Sequence, residues 1–134
     1  MRKITMVPAL VLALTMPPAE AEHKDIDLRD YDDELMRTLE KTNKYFEPDL
    51  MAGNLDAARE DALVLRYGLS WIERYFLAKG NAEDAVKIAR DGLALLSVAM
   101  QDAERRNFDG AADQAHELTR TCRSCHDIYK PLTK

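Results

Sequence analysis

Near the end of the chain stand Cys122, Arg123, Ser124, Cys125 and His126. On an α-helix, residues three and four apart share a face, so both thiols and the imidazole project toward one object. The spacing is that by which a polypeptide holds a haem covalently. Each thiol can form a thioether with one porphyrin vinyl group, and the imidazole meets the iron from below. Three other chemistries use similar residues. A thioredoxin-like dithiol wants a strand before it and a helix after it, whereas these cysteines end a helical stretch. A structural zinc site wants two more soft ligands, and the chain has 2 cysteines in all. A plain disulfide is the third. The haem reading, with one haem c, consumes both cysteines and leaves no disulfide to expect.

Four amphipathic stripes supply the elements that would position these groups. The first segment is expected over about Asp27 to Phe46, with Leu28, Leu35, Leu39 and Phe46 as its apolar line and a break or kink near Glu47 imposed by Pro48. In the second, Asn54 caps a run in which Leu55, Ala58, Ala62, Leu65, Leu69, Ile72 and Phe76 recur at steps of three and four, and Gly80 closes it. The third starts at Asn81, carries Glu83 and Asp84 in its first turn, and has the stripe Val86, Ala89, Leu93, Leu96, Met100, Ala103. The fourth, capped by Asp109, sets Phe108, Ala111, Ala115, Leu118, Cys122, Cys125 and Tyr129 on one seam until Pro131 stops it. Cysteines on a core seam place the haem inside the bundle. Short connections between helices of this length favour antiparallel neighbours. The expected fold is therefore all-α, an up-down-up-down four-helix bundle with haem c in the core near one end.

In that topology the C-terminal end of the fourth helix lies beside the N-terminal end of the first. Met36 is then roughly 14 Å from the start of its helix and His126 roughly 6 Å from the end of its own, which puts both in the same half of the bundle. Met36 begins a stripe with Leu39, Asn43, Phe46 and Leu50. Its thioether can face the iron's open side, where a Met trans to His favours the reduced, low-spin state, or it can simply fill the core. Met100 and Met51 read as packing residues, and His116 and His23 as solvated ones. Tyr129 and Lys130 follow His126 by three and four residues and can flank the proximal ring. Lys130 could hold a haem propionate or serve as an ordinary cation at a helix C-terminus. Trp71, Tyr67 and Tyr75 could wall the haem or pack as plain aromatics.

The N-terminus supports export. Arg2-Lys3, an apolar run from Ile4 to Met16, Pro17-Pro18 and the small-x-small site Ala19-Glu20-Ala21 read as a secretory signal peptide over 1–21, too short and Pro8-interrupted for a membrane anchor. The mature domain is then 22–134, located in the periplasm, with no stable membrane insertion. The chain has 19 Lys and Arg against 24 Asp and Glu; without Arg2, Lys3 and Glu20 the counts are 17 and 23, a net charge of about −6. That balance disfavours nucleic acid and would steer the protein toward basic patches on redox partner proteins.

The ending Cys122-x-x-Cys125-His126-Asp127-x-Tyr129-Lys130 and the helix count resemble the class II cytochromes c, that is, cytochrome c′ and its low-spin relatives, over essentially the whole mature chain. The resemblance implies a four-helix bundle with a C-terminal haem site, a basic residue beside the haem histidine at Lys130, and a sixth ligand at Met36. The stretch Leu35-Met36-Arg37 matches the low-spin members, about seventeen residues before Gly53-Asn54-Leu55-Asp56-Ala57-Ala58. Two features differ from the family: a short connection at Lys79-Gly80-Asn81, and a single Trp placed in the second helix. Dimers are common in the family, so a homodimer is compatible with the resemblance. The expected function is one-electron transport, not enzymatic catalysis. The alternative is a five-coordinate iron that binds or buffers nitric oxide or carbon monoxide. A peroxidase would want a distal His or Arg, and only Arg37 lies on the first helix near that face.

Overall fold

The computed structural model describes residues 26–129. The segment 1–21 expected to be a signal peptide, His23, Lys130 and Pro131 lie outside the described residues. Four helices form: α1 (Asp33–Met51), α2 (Leu55–Lys79), α3 (Glu83–Glu104) and α4 (Phe108–Tyr129). No strand occurs among the described residues, and no described helix is long and apolar enough to cross a membrane.

Four boundaries differ from the sequence expectation; one is the start of α3, which lies at Glu83 because Asn81 takes a positive φ in the preceding turn. The first helix begins at Asp33 because the Asp32 carboxylate accepts from the Leu35 N–H at 2.9 Å, a side-chain cap that Asp27 does not make. Asp27 instead bonds Arg29 two residues on. The helix also runs through Pro48 to Met51. Proline removes one N–H bond there, but only the last turn follows it, and Phe46 and Leu50 on either side are both completely buried. Burial of those two side chains outweighs one missing bond. In α4 the cap is Asn107, whose Oδ1 accepts from Gly110 N at 3.2 Å, where Asp109 was expected.

Each of the three connections contains a residue with positive φ: Gly53 (69°), Gly80 (74°) with Asn81 (52°), and Arg106 (64°). Left-handed residues at helix ends turn the chain back on itself within three positions. Contacts confirm the antiparallel course. Arg59 at the start of α2 bonds Glu104 at the end of α3 at 2.7 Å, and Tyr129 at the end of α4 donates to Asp84 at the start of α3. Helices pack on their sequence neighbours, and α4 closes the ring on α1.

The core divides into two halves. Around the C-terminal end of α1, Ala58, Ala99, Ala103 and Ala111 are completely buried together with Phe46, Leu50 and Leu96, so small residues let the helices close up. Ala85 and Ala89 are buried at the opposite end as well, but there the interior is not filled. The stripes read from the sequence lie on this core throughout, and Leu55, Leu93, Met100 and Phe108 pack against it partly exposed. Helices α1 and α2 meet most closely at Gly68, where an added Cβ would stand 2.1 Å from Leu39 Cδ2. Gly68→Ala should therefore cost about 1–3 kcal/mol, read as a lower urea midpoint with unchanged slope.

A second constraint between α1 and α2 is electrostatic. Asp61 has one carboxylate oxygen buried without a hydrogen-bond partner. Burial first, then the neighbouring charge of Asp49, push its carboxyl up to about 6. A carboxyl raised above its unfolded value holds an extra proton in the native state, so the associated stability is complete below about pH 4 and is lost as pH rises to about 6. Asp61→Asn should flatten the pH profile across that window. Because Asp61 is partly solvated, the expected gain at pH 7 is on the order of 1 kcal/mol, measured by denaturant titration.

Candidate functional site

The unfilled half of the bundle holds a cavity of about 290 Å³, at the small end of the range for cofactor pockets. Met36, Leu39, Glu40, Asn43 and Lys44 of α1 form one wall, and Leu118, Thr119, Cys122, Arg123, Cys125 and His126 of α4 face it. Leu65, Leu69 and Ile72 of α2 with Ile88 and Ala89 of α3 make an apolar floor. The exposed members of the lining are Glu40, Lys44 and Arg123, which places the mouth along the α1/α4 seam.

Helix geometry explains how the two walls are matched. Asn43 Nδ2 donates to Thr119 Oγ1 at 2.9 Å, across the seam. Met36 lies seven residues before Asn43 and His126 seven residues after Thr119. In antiparallel helices those are equal steps in the same direction, each two turns or roughly 10.5 Å. Met36 and His126 therefore stand at one height on facing walls. His116 Nδ1, 3.6 Å from Glu47 Oε2, keeps the same register on the other side of the bond.

Of the residues singled out from sequence, Cys122, Cys125, His126 and Met36 are thus brought to one cavity. Tyr129 is not among its lining residues. It is buried, its ring 4.8 Å from Phe76 and its hydroxyl bonded to Asp84, because it continues the seam of Cys122 and points to the core. Met51 is 70% exposed and cannot reach the cavity. His116 is largely solvated. Neither Trp71, Tyr67 nor Tyr75 lines the cavity; Trp71 stacks on Tyr75 at 5.0 Å, and Tyr67 is exposed. The aromatic that does line it is Tyr31, set edge-on against the stacked Trp71 and Tyr75 rings at 5.0 and 4.8 Å. Its segment is fixed by Asp30, which accepts from Tyr75 Oη and pairs with Lys79, both at 2.7 Å. Tyr31 precedes the first helix, where no periodicity marks it.

Against known protein families, characterised proteins and solved structures, the chain finds no match. What the site can do rests on its own side chains.

The donor set fits a flat macrocycle better than a single ion. Both cysteines are free thiols, and His126 makes no hydrogen bond among the described residues, which leaves its ring nitrogens available. Yet no group of three His, Cys, Asp or Glu side chains among the described residues converges closely enough to hold a metal ion. Two thiols and an imidazole that share a cavity without meeting at a point suit three separate attachments to one broad group. Asn43 Oδ1 is a buried side-chain oxygen of the walls without a hydrogen-bond partner.

Burial governs the thiols. It raises Cys122, and with the added charges of Cys122 and Asp84 it pushes Cys125 up to about 12. Both are protonated at neutral pH, and a protonated thiol is a poor nucleophile. In the folded protein without haem, alkylation by iodoacetamide at pH 8 should be at least about tenfold slower than in urea, with Cys125 the slower site by mass spectrometry. Equal rates in folded and unfolded protein would show that the thiols are not held inside.

Proposed function

We propose that this protein is a periplasmic one-electron carrier with a single haem c, similar to the low-spin class II cytochromes c. The observation that carries the reading is the register: two thiols and an imidazole on one wall of a cavity, and a thioether at the height of that imidazole on the facing wall.

Haem iron, when bound, supplies a one-electron couple whose potential depends on its axial ligands. The chain's own residues do the rest. Cys122 and Cys125 would hold the group through thioethers, and His126 and Met36 would be the residues that bind its iron. Met36, a soft and neutral donor, would favour the reduced state. Leu65, Leu69, Ile72 and Leu118 keep water from the interior, and Tyr31 closes its end. Glu40, Lys44 and Arg123 at the mouth are the charged groups that a redox partner would meet.

Expression with export and haem-attachment machinery should give a coloured protein carrying the mass of one haem, lost in the double variant Cys122→Ala/Cys125→Ala. The absorption spectrum should be low-spin in both redox states. Met36→Ala should convert it to high-spin and lower the potential by on the order of 0.1 V, within the roughly 0.8 V that axial ligands command. A high-spin wild type that takes up carbon monoxide readily would replace electron transport with gas binding; a colourless protein would remove both.

A further inference from the structure

We infer that Asn43 is a positioning residue, whose hydrogen bond to Thr119 sets the sliding register of α1 on α4 and thereby holds Met36 opposite His126. The inference deepens the carrier reading and rests on it for the role of Met36 and His126, while the register itself is a property of the polypeptide.

Four observations carry it. First, the bond joins the two walls of the cavity, Asn43 Nδ2 to Thr119 Oγ1 at 2.9 Å. Second, its direction is determined: Thr119 Oγ1 gives its own hydrogen to the Ala115 carbonyl at 3.3 Å, so toward Asn43 it can only accept. Third, this arrangement leaves Asn43 Oδ1 buried with no partner, a cost that an apolar residue would avoid. A polar side chain held at such a cost in a helix contact is a device by which packed helices specify register. Fourth, Met36 and His126 lie on the same faces as Asn43 and Thr119 and at equal offsets from them.

Leu39, Phe46 and Leu50 of α1 are buried apolar side chains, whose packing, tightest at Leu39 against Gly68, adds to this constraint without pairing a donor with an acceptor. Glu47 and His116 are a loose, partly solvated pair at 3.6 Å. A slide of α1 by one turn, about 5.4 Å, would bring Leu39 or Glu40 to the height of His126 and take the thioether away. The hydrogen bond penalises that slide.

The test compares Asn43→Leu, Thr119→Val and Thr119→Ser in the haem-loaded protein and in the same chains without haem. Thr119→Ser keeps the hydroxyl and should retain the wild-type spectrum and potential. Asn43→Leu and Thr119→Val should each reduce the low-spin, Met-ligated share at least about tenfold, with Asn43→Leu/Thr119→Val no worse than either alone because one interaction is being removed. Asn43→Leu should at the same time be as stable as the wild type or more so, since it deletes an unsatisfied buried oxygen; stability and ligation moving apart is what a merely structural role would not produce. If Asn43→Leu does not fold, Thr119→Val carries the same readout. Without haem, nuclear Overhauser contacts between residues 36 and 126 report the register directly, and they should weaken in Asn43→Leu. Unchanged spectra and contacts in both variants would overturn the inference with the carrier reading intact. A colourless wild type whose 36–126 contacts still depend on Asn43 would overturn the carrier reading alone.

Discussion

The hydrogen bond between Asn43 and Thr119 decides how α1 lies against α4, and the arrangement of the cavity follows from it. Apolar stripes bring four helices together and choose which faces turn inward, and their close packing resists sliding. A donor and an acceptor add a directional contact to that packing. Placing that directional contact two turns from Met36 on one wall and two turns from His126 on the other converts a single polar pair into a statement about the height of two distant side chains.

A second constraint is that α4 uses one stripe for two purposes. Ala111, Ala115 and Leu118 on its N-terminal half are buried in the core, and the same line continues into Cys122 and Cys125. Thiols therefore occupy positions that would ordinarily be filled with leucine. The interior is divided accordingly. Alanines close the half around the C-terminal end of α1, and the other half keeps a space beneath the cysteines.

Much of this was legible in the chain because its causes are periodic. Steps of three and four marked the buried stripes of α2, α3 and α4, and the Cys122/Cys125/His126 spacing marked one wall of the cavity. Features with other causes were not legible. Tyr31 precedes α1, whose start the sequence pattern places at Asp27, and it is held at the cavity by edge contacts with the stacked Trp71 and Tyr75. Pro48 reads as a breaker, yet the burial of Phe46 and Leu50 carries the helix past it. Tyr129 is close to His126 along the chain but turns to Phe76 and Asp84, since seam position decides direction more than proximity does. Net charge gave no sign that two of the three charged residues at the cavity mouth, Lys44 and Arg123, would be basic in an acidic protein. Sums over a sequence carry no information about place.

The aromatic cluster at the cavity's end has an optical consequence. Trp71 is the single tryptophan of the chain, its ring lies against Tyr31, a lining residue, at 5.0 Å, and its neighbour Ile72 lines the floor. The only indole emission of this protein thus originates one ring contact from the interior space. A light-absorbing group seated there would drain that emission, which gives the polypeptide an internal fluorophore that reports whether the chamber is filled.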